Sequence, residues 1–491
     1  MPFLMSLRPT MQLPPSSQSL VTPSPSYSGD LPIRQIPGSY GLPMLGPLSD
    51  RLDYFWFQKP ESFFRKRMEK YKSSVFRTNV PPSFPFFMNV NPNVVALLDC
   101  KSFSYLFDTE LVDKKNVLVG DFRPSVAYTG NIRVGVYQDI SEPQHSKVKK
   151  FSMDILKRSS SIWVPELVSN LDIFWDNIEE SLSKSTTDGA SYIFPLQRFI
   201  FAFLSKTLLG ADPSRRPKIA ESGYAMLNRW LALQLLPTVP IGIFQPLEEI
   251  FLHSFAYPFF LVSGDYNNIY EFIKEEGKQV ITRGQTEFGL SQEEAMHNMF
   301  FMLGFNAFGG FSVFLPSLIE TIASDETGLQ EKLRKEARDN GGSQLSFESV
   351  KEMELIQSVV YETLRLNPPV PLQYARARKD FRLSSCDSAF DIKKGELLCG
   401  YQTLVMRDPN VFDDPEAFKP DRFTKERGAE LLNYLYWSNG PQTGSPSEFN
   451  KQCAGKDHVT LTASLFVAYL FRRYNSIKGN SSSITAVEKA K

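Results

Sequence analysis

The chain has 491 residues, a length that allows one large domain or about three small ones. Its 54 lysines and arginines balance 54 aspartates and glutamates, so it lacks the basic excess that binding to nucleic-acid phosphates requires. Hydrophobic residues make up 42% and charged residues 22%, which excludes a mainly disordered chain, and four cysteines over this length exclude a disulfide framework. The 40 phenylalanines suit either a deep apolar pocket or a well-filled core.

Residues 1–30 are rich in Ser, Thr and Pro, carry Arg8 and contain no acidic residue before Asp30. This composition is typical of a transit segment or of a disordered tail, and the sequence leaves both interpretations open. Several prolines oppose an amphipathic helix there, which favours a plastid over a mitochondrial address. No linker interrupts residues 31–475, which predicts a single domain, and the polar residues 476–491 predict a flexible C-terminal tail.

Helical periodicity dominates the domain, and the strands are short and scattered. The predicted helices cover residues 60–72, 141–159, 163–184, 291–315, 349–366 and 459–469, and the predicted strands cover 74–79, 86–90, 374–378 and 396–400. Ser291, with acids behind it, is predicted to cap the fourth helix. The most apolar run, 299–315, holds Asn306 and stops at Pro316; it predicts a buried central helix rather than a membrane span. The pattern predicts a mainly α fold with small β-sheets.

Cys453 lies at the end of a loop of Gly, Pro and polar residues, shortly before the last predicted helix. The positive end of a helix dipole favours a thiolate, so this cysteine is a candidate nucleophile or haem-iron ligand, with an inert small residue as the alternative. Glu362 and Arg365 lie three residues apart on one helix face, and Arg422, in Pro-Asp-Arg-Phe, offers a second arginine for a buried network. An ExxR, a PxRF and a loop cysteine in this order form a specific set.

On these motifs, residues 31–474 resemble the haem-thiolate superfamily, the cytochromes P450. The resemblance implies a single haem-thiolate domain with a long central helix, and haem b whose iron is bound by the Cys453 thiolate. It makes Glu362, Arg365 and Arg422 a structural network behind the haem. The positions that match contacts to the haem propionates are Lys451, His145, Lys149 and Arg376. For His145 and Lys149, an exposed helical pair is the alternative.

Two departures from the superfamily pattern carry more information than the matches. The cysteine loop is longer than usual, with Asn-Gly-Pro-Gln-Thr-Gly at 439–444 ahead of Asn-Lys-Gln-Cys at 450–453. The central helix reads Gly-Phe-Asn-Ala-Phe-Gly-Gly-Phe over 304–311 and lacks the acid and alcohol that relay protons to bound dioxygen, which disfavours monooxygenation. Both segments resemble the plant branch that metabolises lipid hydroperoxides, which comprises allene oxide synthases, hydroperoxide lyases and divinyl ether synthases, and they resemble the lyases most.

This resemblance implies an enzyme that needs neither dioxygen nor an NADPH reductase, because its substrate already contains the O–O bond. Asn306 is expected to hydrogen-bond the hydroperoxide, in a pocket that Leu118 and the turn 369–371 help to form. Allene oxide synthases carry Phe at the position of Leu118; an aromatic face favours oxidation of the substrate radical to a cation, whereas an aliphatic side chain leaves a hemiacetal that splits.

The implied reaction is therefore cleavage of the 13-hydroperoxides of linoleic or linolenic acid into a six-carbon aldehyde and a twelve-carbon oxo-acid, as part of oxylipin biosynthesis. The implied location is the chloroplast, with peripheral contact to its membranes left open. An allene oxide synthase and a non-catalytic haem sensor are the alternatives, and the choice between 9- and 13-hydroperoxides stays open.

Overall fold

A computed structural model describes residues 31–82, 90–184, 189–239, 245–340, 342 and 344–490. The α-helices are α1 (Leu45–Leu52), α2 (Lys59–Tyr71), α3 (Cys100–Ser104), α4 (Pro143–Lys184), α5 (Ile193–Leu204), α6 (Pro217–Leu235), α7 (Glu248–Phe251), α8 (Ser263–Glu276), α9 (Lys278–Phe288), α10 (Gln292–Phe301), α11 (Gly309–Ala323), α12 (Leu329–Asn340), α13 (Phe347–Lys351), α14 (Glu354–Leu366), α15 (Gln402–Val405), α16 (Lys425–Leu431) and α17 (Lys456–Arg473).

The strands are β1 (Ile33–Arg34), β2 (Val75–Asn79), β3 (Asn93–Leu97), β4 (Val112–Asp113), β5 (Ala190–Ser191), β6 (Leu372–Ala377), β7 (Phe381–Ser384), β8 (Ala389–Ile392), β9 (Leu397–Tyr401), β10 (Tyr474–Gly479) and β11 (Ser483–Lys489). They form three small sheets with the orders β2-β3-β9-β6-β4, β1-β8-β7 and β10-β11-β5. Helices therefore carry most of the fold, as the sequence predicts. The strand predicted over 86–90 lies almost wholly outside the described residues.

The central helix runs from Gln292 to Ala323 as α10, a π-helical segment over 302–308, and α11. Ser291 caps it through a reciprocal pair of hydrogen bonds with Glu294, at 3.1 and 2.8 Å. Among the described residues, this helix alone is long and apolar enough to cross a membrane, yet 56% of its most apolar window is buried inside the fold. It belongs to the core, as predicted.

Pro316 lies inside α11, so the prediction that this helix ends before the proline was wrong. A proline removes one backbone hydrogen bond and commonly bends or ends a helix. Here the next turns bury Leu318, Ile319 and Ile322 in the main hydrophobic core. Burial of three large aliphatic side chains outweighs the lost hydrogen bond, because each contributes roughly 1.5–3 kcal/mol.

The two helices predicted over 141–159 and 163–184 form one helix, α4. The serines between them lie within the helix, where Ser159 and Ser160 donate their hydroxyls to the carbonyl of Leu156. Such bonds weaken a helix slightly rather than stabilise it. Trp163 is buried and donates from its indole nitrogen to Thr462 of α17 at 2.8 Å. Packing against α17 therefore keeps a weakly helical stretch helical.

The flexible tail predicted for residues 476–491 is instead a β-hairpin in the part of it that the structure describes. β10 pairs antiparallel with β11, which pairs with β5. Ile477 and Ile484 are fully buried, and Glu179 of α4 accepts hydrogen bonds from Arg473 and Tyr474 and pairs with Lys489. One buried isoleucine on each strand, together with the ion pairs of Glu179, ties this polar stretch to the fold, which composition alone does not reveal.

Candidate active site

Cys453 is held in the loop that leads into α17. Its backbone N–H donates to the carbonyl of Ser438 at 2.9 Å, and its carbonyl accepts from Lys456 N at the start of the helix. The neighbouring Gln452 ties the two arms of the loop together, because its side-chain nitrogen donates to Ser438 Oγ and to the carbonyl of Pro441. The long loop is thus braced by polar contacts around the cysteine.

The Cys453 thiol does not gain the low pKa expected of a cysteine near a helix N-terminus. Burial raises its pKa, and the opposing influences of Lys149, the Gly455 N–H and Lys456 do not compensate. The pKa of this thiol therefore depends more on burial than on the nearby helix N-terminus.

Basic side chains gather beside the cysteine loop. Lys149 donates to the carbonyl of Gln452, while Lys451 donates to the carbonyls of Gly135 and Gln138 at 2.9 and 2.7 Å. Burial lowers the pKa of Lys149 to about 8, and burial together with Lys149 lowers the pKa of Lys451 to about 7. The two lysines thus lie close together in a partly dehydrated place.

His145, one turn before Lys149 in α4, belongs to the same cluster. It is buried rather than exposed, which excludes the alternative of an exposed helical pair. Burial and the neighbouring Lys451 and Lys149 lower its pKa to about 4, and among the described residues its buried Nδ1 has no hydrogen-bond partner. An unpaired buried donor or acceptor is costly, so this atom is a candidate for contact with a ligand.

Lys114 joins this cluster, although no sequence motif assigns it a role. Its ammonium donates to Asn439 Oδ1 in the cysteine loop, and burial together with Lys451 lowers its pKa to about 7. The sequence offers one signal, since Lys114 lies four residues before Leu118. Dehydrated basic side chains suit the anionic propionates at the edge of a haem, and a thiol beside them suits its iron.

The contacts of Arg376 differ from those of these lysines. Its guanidinium pairs with Asp121 and donates to the carbonyl of Gly395 at 3.0 Å. The sequence placed it among the propionate contacts, and its hydrogen bonds in the structure instead join strand β6 to the chain segment that contains Leu118.

Glu362 and the two arginines form a fully connected cluster between α14 and the 413–423 loop. Arg365 donates twice to the Glu362 carboxylate, at 2.7 and 2.8 Å, and Arg422 donates to it at 3.0 and 3.1 Å. The remaining guanidinium nitrogens reach the backbone carbonyls of Met406, Asp413, Asp414, Pro415 and Ala417. Each charge is buried and each is paired, so the cluster fixes α14 against the loop.

Asn306 lies in the π-helical segment of the central helix. Asn306 is exposed, although Gly304 and Phe308 on either side of it are buried. Its side-chain amide makes no hydrogen bond with the described residues. Gly304 lets the helix approach its neighbour, because a Cβ there would lie 2.9 Å from the ring of Trp230. A π-segment widens the helix locally and is frequent at functional sites.

The phenylalanines around Asn306 divide by position. Phe308 and Phe311 are buried in the core, as expected for at least one of the three. Phe305 is partly exposed and stacks on Phe301 with ring centroids 4.6 Å apart. Asn306 is thus a polar group on an otherwise apolar helix surface.

Leu118 is partly buried in a tight loop, where its N–H donates to the carbonyl of Gly120. Gly120 has a φ of +59°, a backbone conformation in which a residue with a side chain would be strained. It lies beside the side chains of Tyr374 and Leu397. The turn 369–371 is held by Gln402, which contacts the carbonyls of Val370 and Pro371 at 2.7 Å, and leaves the Val370 side chain 52% exposed. Both segments carry apolar side chains, and their place in the wall of a substrate pocket stays a prediction.

The comparisons with known proteins first define the fold. The cytochrome P450 family profile matches residues 324–476. The solved structure of retinoic-acid-bound cyanobacterial CYP120A1 superposes with a TM-score of 0.63 over 91% of this chain and 93% of that one, at 19% identity. The fold is that of a cytochrome P450, a mainly α fold that binds haem iron, and the fold prediction is confirmed.

Closer relatives narrow the family. The chloroplastic fatty acid hydroperoxide lyase of Solanum lycopersicum is 65% identical over 97% of this chain and 100% of that protein. The chloroplastic allene oxide synthase of Linum usitatissimum is 42% identical over 97% of this chain and 87% of that protein. The chain therefore belongs to the plant hydroperoxide lyase and allene oxide synthase family of cytochromes P450, and the resemblance inferred from the sequence is confirmed.

Proposed function

We propose that the protein is a fatty acid 13-hydroperoxide lyase that cleaves the 13-hydroperoxides of linoleic and linolenic acid into a six-carbon aldehyde and a twelve-carbon oxo-acid. The observation that carries the proposal is Asn306, whose side-chain amide has no hydrogen-bond partner among the described residues and lies in the apolar segment 304–311, which contains neither an acid nor an alcohol. The chain is 65% identical to the hydroperoxide lyase of Solanum lycopersicum and 42% identical to the allene oxide synthase of Linum usitatissimum. This difference supports a lyase over an allene oxide synthase.

The cofactor of the proposed reaction would be haem b, and the Cys453 thiolate would bind its iron. Lys149, Lys451 and His145 would hold the propionates, because they are dehydrated nitrogen-bearing side chains in or beside the cysteine loop. When bound, haem supplies the one-electron chemistry that breaks the O–O bond of the hydroperoxide.

The chain's own residues orient the substrate and decide what forms from it. The Asn306 amide can donate to one hydroperoxide oxygen and accept the O–H, which aligns the bond to be broken. Phe305 and Leu118 offer apolar surface that keeps water away. An aliphatic side chain at 118 does not favour loss of an electron from the substrate radical, so the isomerised product is a hemiacetal that splits into two carbonyl compounds. Every atom comes from the hydroperoxide, and neither a reductase nor dioxygen is needed.

The test is turnover by purified, haem-loaded protein given only the 13-hydroperoxide of linolenic acid. We expect loss of the conjugated-diene absorbance and appearance of a six-carbon aldehyde and a twelve-carbon oxo-acid by mass spectrometry. The matched 9-hydroperoxide measures regiochemical preference. An absolute requirement for NADPH and a reductase, or a ketol as the main product, would refute the proposal.

The proposed location is the chloroplast, in keeping with the chloroplastic relatives and with the composition of residues 1–30, whose one acidic residue is Asp30 and which lie outside the described residues. Peripheral contact with plastid membranes is part of the proposal. It is supported by exposed apolar side chains at Leu42, Met44, Leu45, Leu48 and Phe57 in and beside α1. Flotation with galactolipid vesicles tests it; the L45S/L48S variant should float less than the wild type.

A further inference from the structure

The loop that contains Leu118 is closed at both ends on a single residue of strand β6. At its start, Asp113 of β4 pairs with Arg376 in the antiparallel ladder. At its end, Asp121 forms an ion pair with the guanidinium of the same Arg376. Residues 113–121 thus form a compact loop whose two ends meet at Arg376, with Leu118 between them.

Few other polar contacts hold the far half of this loop. From Val117 to Asp121, the described backbone hydrogen bonds stay within the loop and its flanks, with Lys114, Gly120 and Phe122 as partners. In the same stretch, the Asp121–Arg376 pair is the one side-chain hydrogen bond or ion pair to the rest of the described structure. Lys114 fastens the first half to the cysteine loop through Asn439. The position of the second half therefore depends on Asp121 and on packing.

The packing alternates along this half of the loop. Val117 and Val119 pack against the smaller hydrophobic cluster, around Tyr374 and Leu397, while Leu118 packs against the main core. If the loop slid by one residue, Leu118 would face the smaller cluster and a neighbouring valine would face the main core. The Asp121–Arg376 pair, at 23% and 30% side-chain exposure, fixes the loop against such a shift.

From this geometry we infer that Asp121 and Arg376 are positioning residues that hold Leu118 in place and thereby set the ratio of aldehydes to other products. The inference rests on the proposed lyase function and adds the device that enforces its outcome. The inference does not require contact between the reacting atoms and the side chain of Asp121 or Arg376. Arg376 acts through Asp121, which differs from the propionate contact that the sequence suggested for it.

The experiment measures the product ratio from the 13-hydroperoxide of linolenic acid with haem-loaded D121N, R376Q, the double variant and D121E. D121N and R376Q should each raise the ratio of ketols to aldehydes roughly fivefold, which corresponds to about 1 kcal/mol at 1.4 kcal/mol per factor of ten. The double variant should add nothing to the larger single effect, as expected for two residues of one pair. D121E keeps the charge and should stay near the wild-type ratio.

The control is D391N, which breaks a more exposed ion pair with Arg382 between β7 and β8, in a different sheet from β4 and β6. It should leave the ratio unchanged. Haem content, from the absorbance spectrum, separates the alternatives: if R376Q loses haem and D121N behaves as the wild type, Arg376 serves the cofactor and the inference is wrong. A D121N that lowers turnover at an unchanged ratio also overturns it. A wild type that makes no aldehyde would instead refute the proposed function.

Discussion

Replacing Glu362 by glutamine removes the carboxylate on which two buried arginines converge. The side chain of Glu362 is fully buried and accepts four hydrogen bonds from the guanidinium groups of Arg365 and Arg422, and one from the backbone N–H of Lys419. Glutamine preserves the shape but replaces one acceptor oxygen by a donor that points at a guanidinium.

The expected loss of stability is large, because the two guanidinium charges stay buried without their counter-charge. Breaking a buried ion pair by removing one partner costs about 3–5 kcal/mol in free energy of unfolding. The backbone carbonyls that Arg365 and Arg422 also contact reduce the loss only in part, since they carry no net charge. We therefore expect E362Q near the middle of that range.

Urea denaturation of wild type and variant, followed by tryptophan fluorescence, measures the difference. The matched control is E430Q, which breaks the exposed pair of Arg427 and Glu430, three residues apart on α16, and should cost less than about 1 kcal/mol. E362D, which keeps the charge on a shorter side chain, should fall between the two. If E362Q destabilises no more than E430Q, the cluster does not stabilise the fold as argued.

Four further outcomes follow from the site and the hairpin. C453S should lose the haem absorbance and hydroperoxide breakdown together, because serine supplies no thiolate; survival of both would exclude Cys453 as the ligand. N306L should lower kcat/KM for the hydroperoxide by tenfold or more, about 1.4 kcal/mol for a lost hydrogen bond, while haem content stays at the wild-type level. L118F should shift product from aldehydes toward ketols, and an unchanged product profile would contradict the assignment of that residue. Burial would raise the pKa of Glu179, but hydrogen bonds from Lys489, Tyr474 and Arg473 lower it to about 2; the wild type should therefore lose stability as the pH falls from about 4.5 toward 2, and E179Q should lose less over the same window.

Much of the site was readable from the sequence because its signals are local. Glu362 and Arg365 face each other across one helical turn, and this spacing is set by backbone geometry alone. Asn306 is recognisable as an amide in an apolar run, and the missing acid and alcohol are an observation about the helix itself. The resemblance to haem-thiolate proteins extended these local signals to Cys453.

Other features depended on groups that are far apart in the chain. The thiol of Cys453 lies near a helix N-terminus, yet burial by the rest of the fold raises its pKa above its ordinary value. Arg376 matched a propionate contact by position, but Asp121, 255 residues away, is its partner. Lys114 donates a hydrogen bond to Asn439, 325 residues away in the chain, and this contact forms only in the folded protein.

The sequence by itself determined the helices with strong periodicity, the apolar character of the central helix and the motifs that place the chain among haem-thiolate proteins, because hydrophobic spacing and short motifs act within a few residues. Tertiary structure alone decided that α4 is unbroken, that the polar C-terminus pairs as a hairpin, and which charges meet around Cys453 and Leu118. Those outcomes depend on burial and on partners brought together from distant parts of the chain, and neither is encoded in any single stretch of it.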